Sequence, residues 1–132
     1  MFVDSRAFIA RFISSDAHHE TARRAWLILD SGRPLLTTNL VVAEVVNYVA
    51  HQTNGSFASQ AGQRIIASAM LQIERTEQDH ELASLALMRN YADQRFSFTD
   101  CVSFVVMKRR KLKRAFCFDS DFTIAGFEVW SG

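Results

Sequence analysis

The sequence predicts an α/β fold, a three-layer α/β/α sandwich around a mostly parallel sheet of about five strands. Three observations lead there. Five short apolar runs, at 1–3, 35–36, 71–73, 115–118 and 127–130, recur along the chain. Between them lie longer segments with helical apolar spacing. Only one proline and five glycines interrupt the whole length, with no low-complexity segment or internal repeat, so a linker has nowhere to sit and the alternation runs through one unit.

Taken in order, Phe2-Val3 is the first strand, and helical spacing follows at 7–13 and 18–30, with Asp16 or Ala17 before the second of these helices. Leu35-Leu36 forms the second strand and leads into a Val-rich helix over 40–52, capped by Asn39. Asn54-Gly55-Ser56 reads as a turn before a helix over 57–70. The third strand, at 71–73, precedes helices over 77–91 and 100–110, the latter with Ser97 or Thr99 before it. Ala115-Phe116-Cys117-Phe118 and Phe127 to Trp130 supply the last two strands. Such alternation builds parallel strands joined by right-handed crossovers, and ligand sites then lie at the carboxyl ends of the strands.

At 132 residues the chain is long enough for a single domain over 1–132 with a core of its own. Its 48% apolar and 22% charged residues exclude a disordered or fibrous protein. A formal charge of +1 excludes a large overall positive field, so any contact with a polyanion is local. Cys101 and Cys117 sit in apolar surroundings with no CxxC spacing, which argues against a zinc site and for a reducing, cytoplasmic setting. No apolar run approaches the ~18–20 residues of a membrane span, so no membrane role is expected.

The strand-end rule selects acidic residues. Asp4 follows the first strand directly, Asp119 follows the fourth, Glu44 lies in the helix after the second, and Asp100 opens the last long helix. Four carboxylates on one rim repel one another unless a cation offsets them, and Mg²⁺ or Mn²⁺, which prefer carboxylate oxygens, are the natural partners. Two such ions can activate water and clamp both oxygens of a phosphodiester displacement. Each acid also has a plainer role. Asp4 can cap a helix, Glu44 can belong to a solvated stripe with Asn47, Tyr48 and His51, Asp100 fits a capping box with Ser97, and Asp119 and Asp121 can start a turn.

Taken together, Phe2-Val3-Asp4-Ser5-x-Ala7-Phe8-Ile9-Ala10, His18-His19-x-x-Ala22, Leu36-Thr37-Thr38-Asn39 with Ala43-Glu44, Ser97-Phe98-Thr99-Asp100-Cys101-x-Ser103-Phe104 and Phe118-Asp119-x-x-Phe122-x-x-x-Gly126-Phe127 resemble the PIN-domain ribonucleases, especially the toxin halves of VapBC toxin–antitoxin pairs. The resemblance implies a PIN-like sandwich that cuts RNA, whether tRNA, rRNA or mRNA. It implies Mg²⁺ or Mn²⁺ held by Asp4, Glu44, Asp100 and Asp119, with Thr99 and Asp121 orienting ligands or waters. It also implies a homodimer and a small protein antitoxin laid across the acidic groove. A housekeeping RNA-processing nuclease of the same fold, or a binding module that has lost activity, would read similarly.

One position departs from the family pattern. Arg6 stands two residues after the first acid, where a small polar residue is typical. Its guanidinium can pair with Asp4 and compete with metal, or reach outward to an RNA phosphate; the expectation is that it weakens metal binding. The four histidines are expected on helix surfaces. Lys108-Arg109-Arg110-Lys111-Leu112-Lys113-Arg114, six cations in seven residues, is expected to be a solvated helix end rather than an RNA patch. Phe118-Asp119-Ser120-Asp121-Phe122-Thr123 resembles the first motif of haloacid-dehalogenase-type phosphatases, but the nine residues after Thr123 leave no room for their other motifs. A receiver domain is excluded because the third strand runs into Glu74-Arg75-Thr76 rather than an acceptor Asp.

Overall fold

A computed structural model describes residues 1–29 and 32–132. The expected end of the second helix, at Asp30, lies outside the described residues. In chain order the elements are β1 (Phe2–Val3), α1 (Ser5–Phe12), α2 (His19–Leu29), β2 (Leu35–Thr38), α3 (Asn39–Gln52), α4 (Gly55–Ala67), β3 (Leu71–Glu74), α5 (Gln78–Asn90), α6 (Phe98–Arg109), β4 (Arg114–Phe116), α7 (Asp121–Ile124) and β5 (Glu128–Trp130).

The strands form one sheet in the order β3-β2-β1-β4-β5, and every pairing is parallel. Phe2 aligns with Leu36 on one side and Ala115 on the other, which places β1 at the centre. Both β1 residues are fully buried, as a central parallel strand covered on two faces requires. Alternation sends neighbouring residues to opposite faces. Phe2 meets Phe122, with ring centroids 6.2 Å apart, whereas Phe116, level with Val3, meets Trp26 of α2 at 5.2 Å. Phe104 of α6 extends the first cluster by an edge-on contact with Phe122 at 5.1 Å.

The order reverses between β1 and β4, because the chain moves outward from β1 through β2 to β3 and then crosses back to β4. In an open parallel sheet that reversal opens a crevice at the carboxyl ends of the two strands. Asp4 stands there, its backbone N–H donating to the Phe116 carbonyl at 3.0 Å and so extending the β1–β4 ladder by one residue.

Four local expectations are corrected. α1 begins at Ser5 rather than residue 7, because the Asp4 side chain caps it by accepting from the Arg6 N–H at 3.3 Å. Thr38, not Asn39, caps α3, accepting from the Val41 N–H at 3.1 Å, while Asn39 Oδ1 is occupied by the N–H and hydroxyl of Thr76. Asn54 is the cap of α4, holding the Phe57 N–H at 2.9 Å, so the Asn-Gly pair opens a helix and is not a separate turn. The short α7 was not expected; Ala125 caps its end and Gly126 follows, with a φ of +96° that is accessible to glycine at little cost.

Candidate active site

Asp4 is 1% exposed, and its position follows from the two strands that flank it. One carboxylate oxygen caps α1. The other, Oδ1, is the one buried side-chain nitrogen or oxygen among the described residues that lacks a hydrogen-bond partner. Such an atom costs about 1–3 kcal/mol unless something accepts its lone pairs. Burial first, and then the charges of Asp100 and Asp119, push the Asp4 carboxyl up to about 8.

Asp100 reaches the rim from the first turn of α6. Ser97 and Asp100 form a reciprocal capping box, Ser97 N–H to Asp100 Oδ2 at 3.1 Å and Asp100 N–H to Ser97 Oγ at 3.0 Å. This box pins the carboxylate without neutralising it. Burial lifts Asp100 to about 6 against the lowering effect of those hydrogen bonds, with Asp121 and Asp119 adding to the rise. The capping role and the site role therefore coexist in one side chain.

Asp119 emerges just past β4 and turns back on itself, its Oδ1 accepting from the Asp121 N–H at 3.1 Å. Asp121 opens α7, and its carboxyl is also raised, by burial and by Asp119, while Arg6 opposes the shift. Asp4, Asp100, Asp119 and Asp121 thus form one electrostatically coupled group. Beneath them the Cys117 thiol is pushed up to about 12, by burial first and then by Asp4 and Asp119, so it remains a neutral S–H rather than a nucleophile.

Other expected site residues fall differently. Glu44 is half-buried in the second turn of α3, and it is not among the charges that chiefly shift Asp4, Asp100 or Asp121. Thr99 is half-buried beside Asp100, and its carbonyl accepts from the Ser103 hydroxyl at 3.0 Å. Arg6 is exposed and makes no ion pair with Asp4 among the described residues; its charge acts on Asp121. The expected competition between Arg6 and metal at Asp4 therefore has no contact to carry it. One feature of the rim was missed: His18 stacks on Phe118, the residue before Asp119, although nothing in the local sequence of either signals the contact.

Among the described residues, no three His, Cys, Asp or Glu side chains converge on a common ion position. Like-charged carboxylates lower their energy by standing apart. The donor set nonetheless suits a hard divalent cation: Asp100 and Asp119 act electrostatically on Asp4, which carries a buried, unpartnered oxygen, and the Asp4 and Asp100 carboxyls are raised by burial first and by neighbouring carboxylates second.

The family model described as the PIN domain matches residues 1–128. The chain belongs to the PIN-domain family. Among its PIN-domain relatives, the 23S rRNA-specific endonuclease VapC20 of Mycobacterium tuberculosis is 30% identical over 129 residues, 96% of this chain and 95% of that protein, in both strains CDC 1551 / Oshkosh and ATCC 25618 / H37Rv. The crystal structure of Mycobacterium tuberculosis VapC20, described as a Sarcin-Ricin loop cleaving toxin, superposes with a TM-score of 0.87 at 28% identity, covering 96% of this chain and 95% of that one. The five-stranded parallel PIN sheet flanked by helices is common to both.

Proposed function

We propose that this chain is a divalent-metal-dependent endoribonuclease and the toxin of a toxin–antitoxin pair. The observation that supports it most is the coupled acidic group at the strand-order reversal, centred on the unpartnered oxygen of Asp4. Asp4, Glu44, Asp100 and Asp119 would hold Mg²⁺ or Mn²⁺. When bound, the ion offsets the charge of the carboxylates and of the phosphodiester and renders a water nucleophilic near neutral pH. Asp119 fixes the start of α7 and so the position of Asp121, which with Thr99 orients waters or ligands at the rim. Hydrolysis adds water across the P–O bond, leaving one phosphate terminus and one hydroxyl terminus. The Arg6 guanidinium makes no ion pair with Asp4 among the described residues, which favours an active enzyme over an inactive binding module.

The relatives make rRNA the first substrate to test. An antitoxin and a second copy of the chain are its expected partners. A cavity of about 260 Å³ between α1, α2, α4 and the β2–β3 edge, lined by Phe8, Phe12, Trp26, Leu35, Arg64 and Met70, suits an apolar antitoxin segment carrying carboxylates. No helix is long and apolar enough to cross a membrane among the described residues, and the two buried free thiols agree with a reducing cytoplasm.

Cleavage of rRNA and tRNA fragments with and without EDTA, beside an Asp100→Asn variant, tests the reading. Cutting by the wild-type chain that stops in EDTA and in the variant is the expected result. Cutting that survives both treatments would contradict it.

A further inference from the structure

The acidic rim explains how a phosphodiester could be attacked but not what holds the RNA beside it. Carboxylates repel a polyanion, so the substrate needs a grip that does not depend on phosphate charge. The turn before α2 carries such a feature. His18 lies flat against Phe118, with ring centroids 4.7 Å apart and planes only 10° from parallel. Phe118 immediately follows Cys117 and precedes Asp119, so the stack stands at the edge of the acidic group.

Both rings are held from behind. Phe118 packs edge-on against Phe116 at 5.7 Å, and Phe116 in turn contacts Trp26 and Trp130 at 5.2 and 5.0 Å. The backbone around His18 is fixed on either side: its own N–H donates to Asp16 Oδ1 at 2.8 Å, and His19 Nδ1 lies 2.8 Å from the Ala10 carbonyl. His18 itself is exposed, although one of its ring faces lies on Phe118. An exposed, flat and backbone-anchored ring beside a phosphodiester site has the form of a stacking surface for a base.

We propose that His18, seated on Phe118, is a nucleobase platform on which a base flanking the scissile phosphate stacks. This rests on the RNA-cleaving reading above and adds to it a site for the base. The base would extend the Phe118–His18 stack outward, and its phosphate would then lie over the carboxylates. Stacking of this kind tolerates any base, because each presents a π-face, so the platform sets the position of the strand more than its sequence.

The test uses the full chain carrying Asp100→Asn, so that binding is read without cleavage, with Mg²⁺ present. Fluorescence anisotropy with a labelled oligoadenylate and with the matching abasic ribose-phosphate oligomer reports stacking separately from phosphate contacts. The platform predicts that His18→Ala weakens oligoadenylate binding about tenfold, the scale of one base–aromatic stack. His18→Phe is expected to retain wild-type affinity, and the abasic oligomer to bind all three proteins alike. Equal affinity of the parent and His18→Ala for oligoadenylate would overturn the platform, as would an equal loss on both oligomers. A loss in His18→Phe as large as in His18→Ala would overturn it too, by assigning the effect to imidazole charge or hydrogen bonding. These outcomes leave the nuclease reading standing, and a parent protein that binds neither oligomer overturns the platform alone, because the nuclease reading is judged by cleavage of rRNA by the wild-type chain.

Discussion

Two charged regions of this molecule are built differently. In the segment that runs from the end of α6 into β4, each arginine faces a carboxylate from another element: Arg109 pairs with Asp79 at the start of α5, Arg110 with Glu74 at the end of β3, and Arg114 with Glu128 at the start of β5. Around the carboxyl ends of β1 and β4, by contrast, Asp4, Asp100, Asp119 and Asp121 face one another, and none makes an ion pair among the described residues. Asp79 is accordingly held below the usual carboxylate range by Arg109, whereas Asp4 and Asp100 are lifted to about 8 and about 6. The basic run latches elements together, whereas the acidic rim lacks counter-charges, and ionising it works against the fold. Proteins tolerate that kind of local cost where chemistry requires it.

The largest effect should come from breaking the acidic rim at its centre. Asp4→Asn is expected to lower RNA cleavage by more than about 100-fold, beyond the range for residues that only support a metal's ligands, in single-turnover assays with saturating Mn²⁺. The same substitution should raise the melting temperature of the metal-free protein at pH 8, because it removes a buried carboxyl whose ionisation opposes folding. Asp121→Asn, which alters the rim's edge, should cost about tenfold in the same assay.

The pH dependence sharpens the contrast. Folded Asp4 has a pKa of about 8 against 3.8 in the unfolded chain, and Asp100 about 6 against 3.8. Between those limits the folded state binds more protons than the unfolded one. Its stability is therefore fully present below about pH 4 and is lost as pH rises through 6 and then 8. Calorimetry of the metal-free protein should show a melting temperature falling by roughly 10 °C between pH 5 and 8, and Mg²⁺ or Mn²⁺ should flatten that fall. A melting temperature that rises over this range would mean the acids are paired after all.

The smallest effect belongs to the basic region. Arg110→Met removes an ion pair whose arginine side chain is 48% exposed, so it should cost only about 0.5 kcal/mol in urea unfolding and leave kcat unchanged. A large loss of activity there would turn the latch into an RNA contact.

All five strands were legible because each falls in a short, largely apolar run between longer segments of helical spacing, and the strand-end rule then put Asp4 and Asp119 beside β1 and β4. Asp100 was legible because its capping box with Ser97 fixes where α6 starts. Other features depend on packing that no local pattern encodes. The direction of Arg6 depends on how α1 is rotated once Asp4 has capped it two residues earlier than its apolar spacing suggests. The reach of Glu44 depends on how α3 lies against its neighbours, and its polar stripe is equally a solvated face. His18 and Phe118 meet only because the α1–α2 turn folds over the end of β4, a contact between distant segments.

The account turns on Asp4 being an unpaired acid that a divalent ion relieves. Carbon-detected NMR titration of the aspartate carboxyls, assigned through Asp4→Asn and repeated with Mg²⁺, measures this directly. The account predicts that metal-free Asp4 titrates above pH 7 and that added Mg²⁺ drives it well below, with release of its proton. An Asp4 that titrates near 4 and does not respond to Mg²⁺ would contradict it.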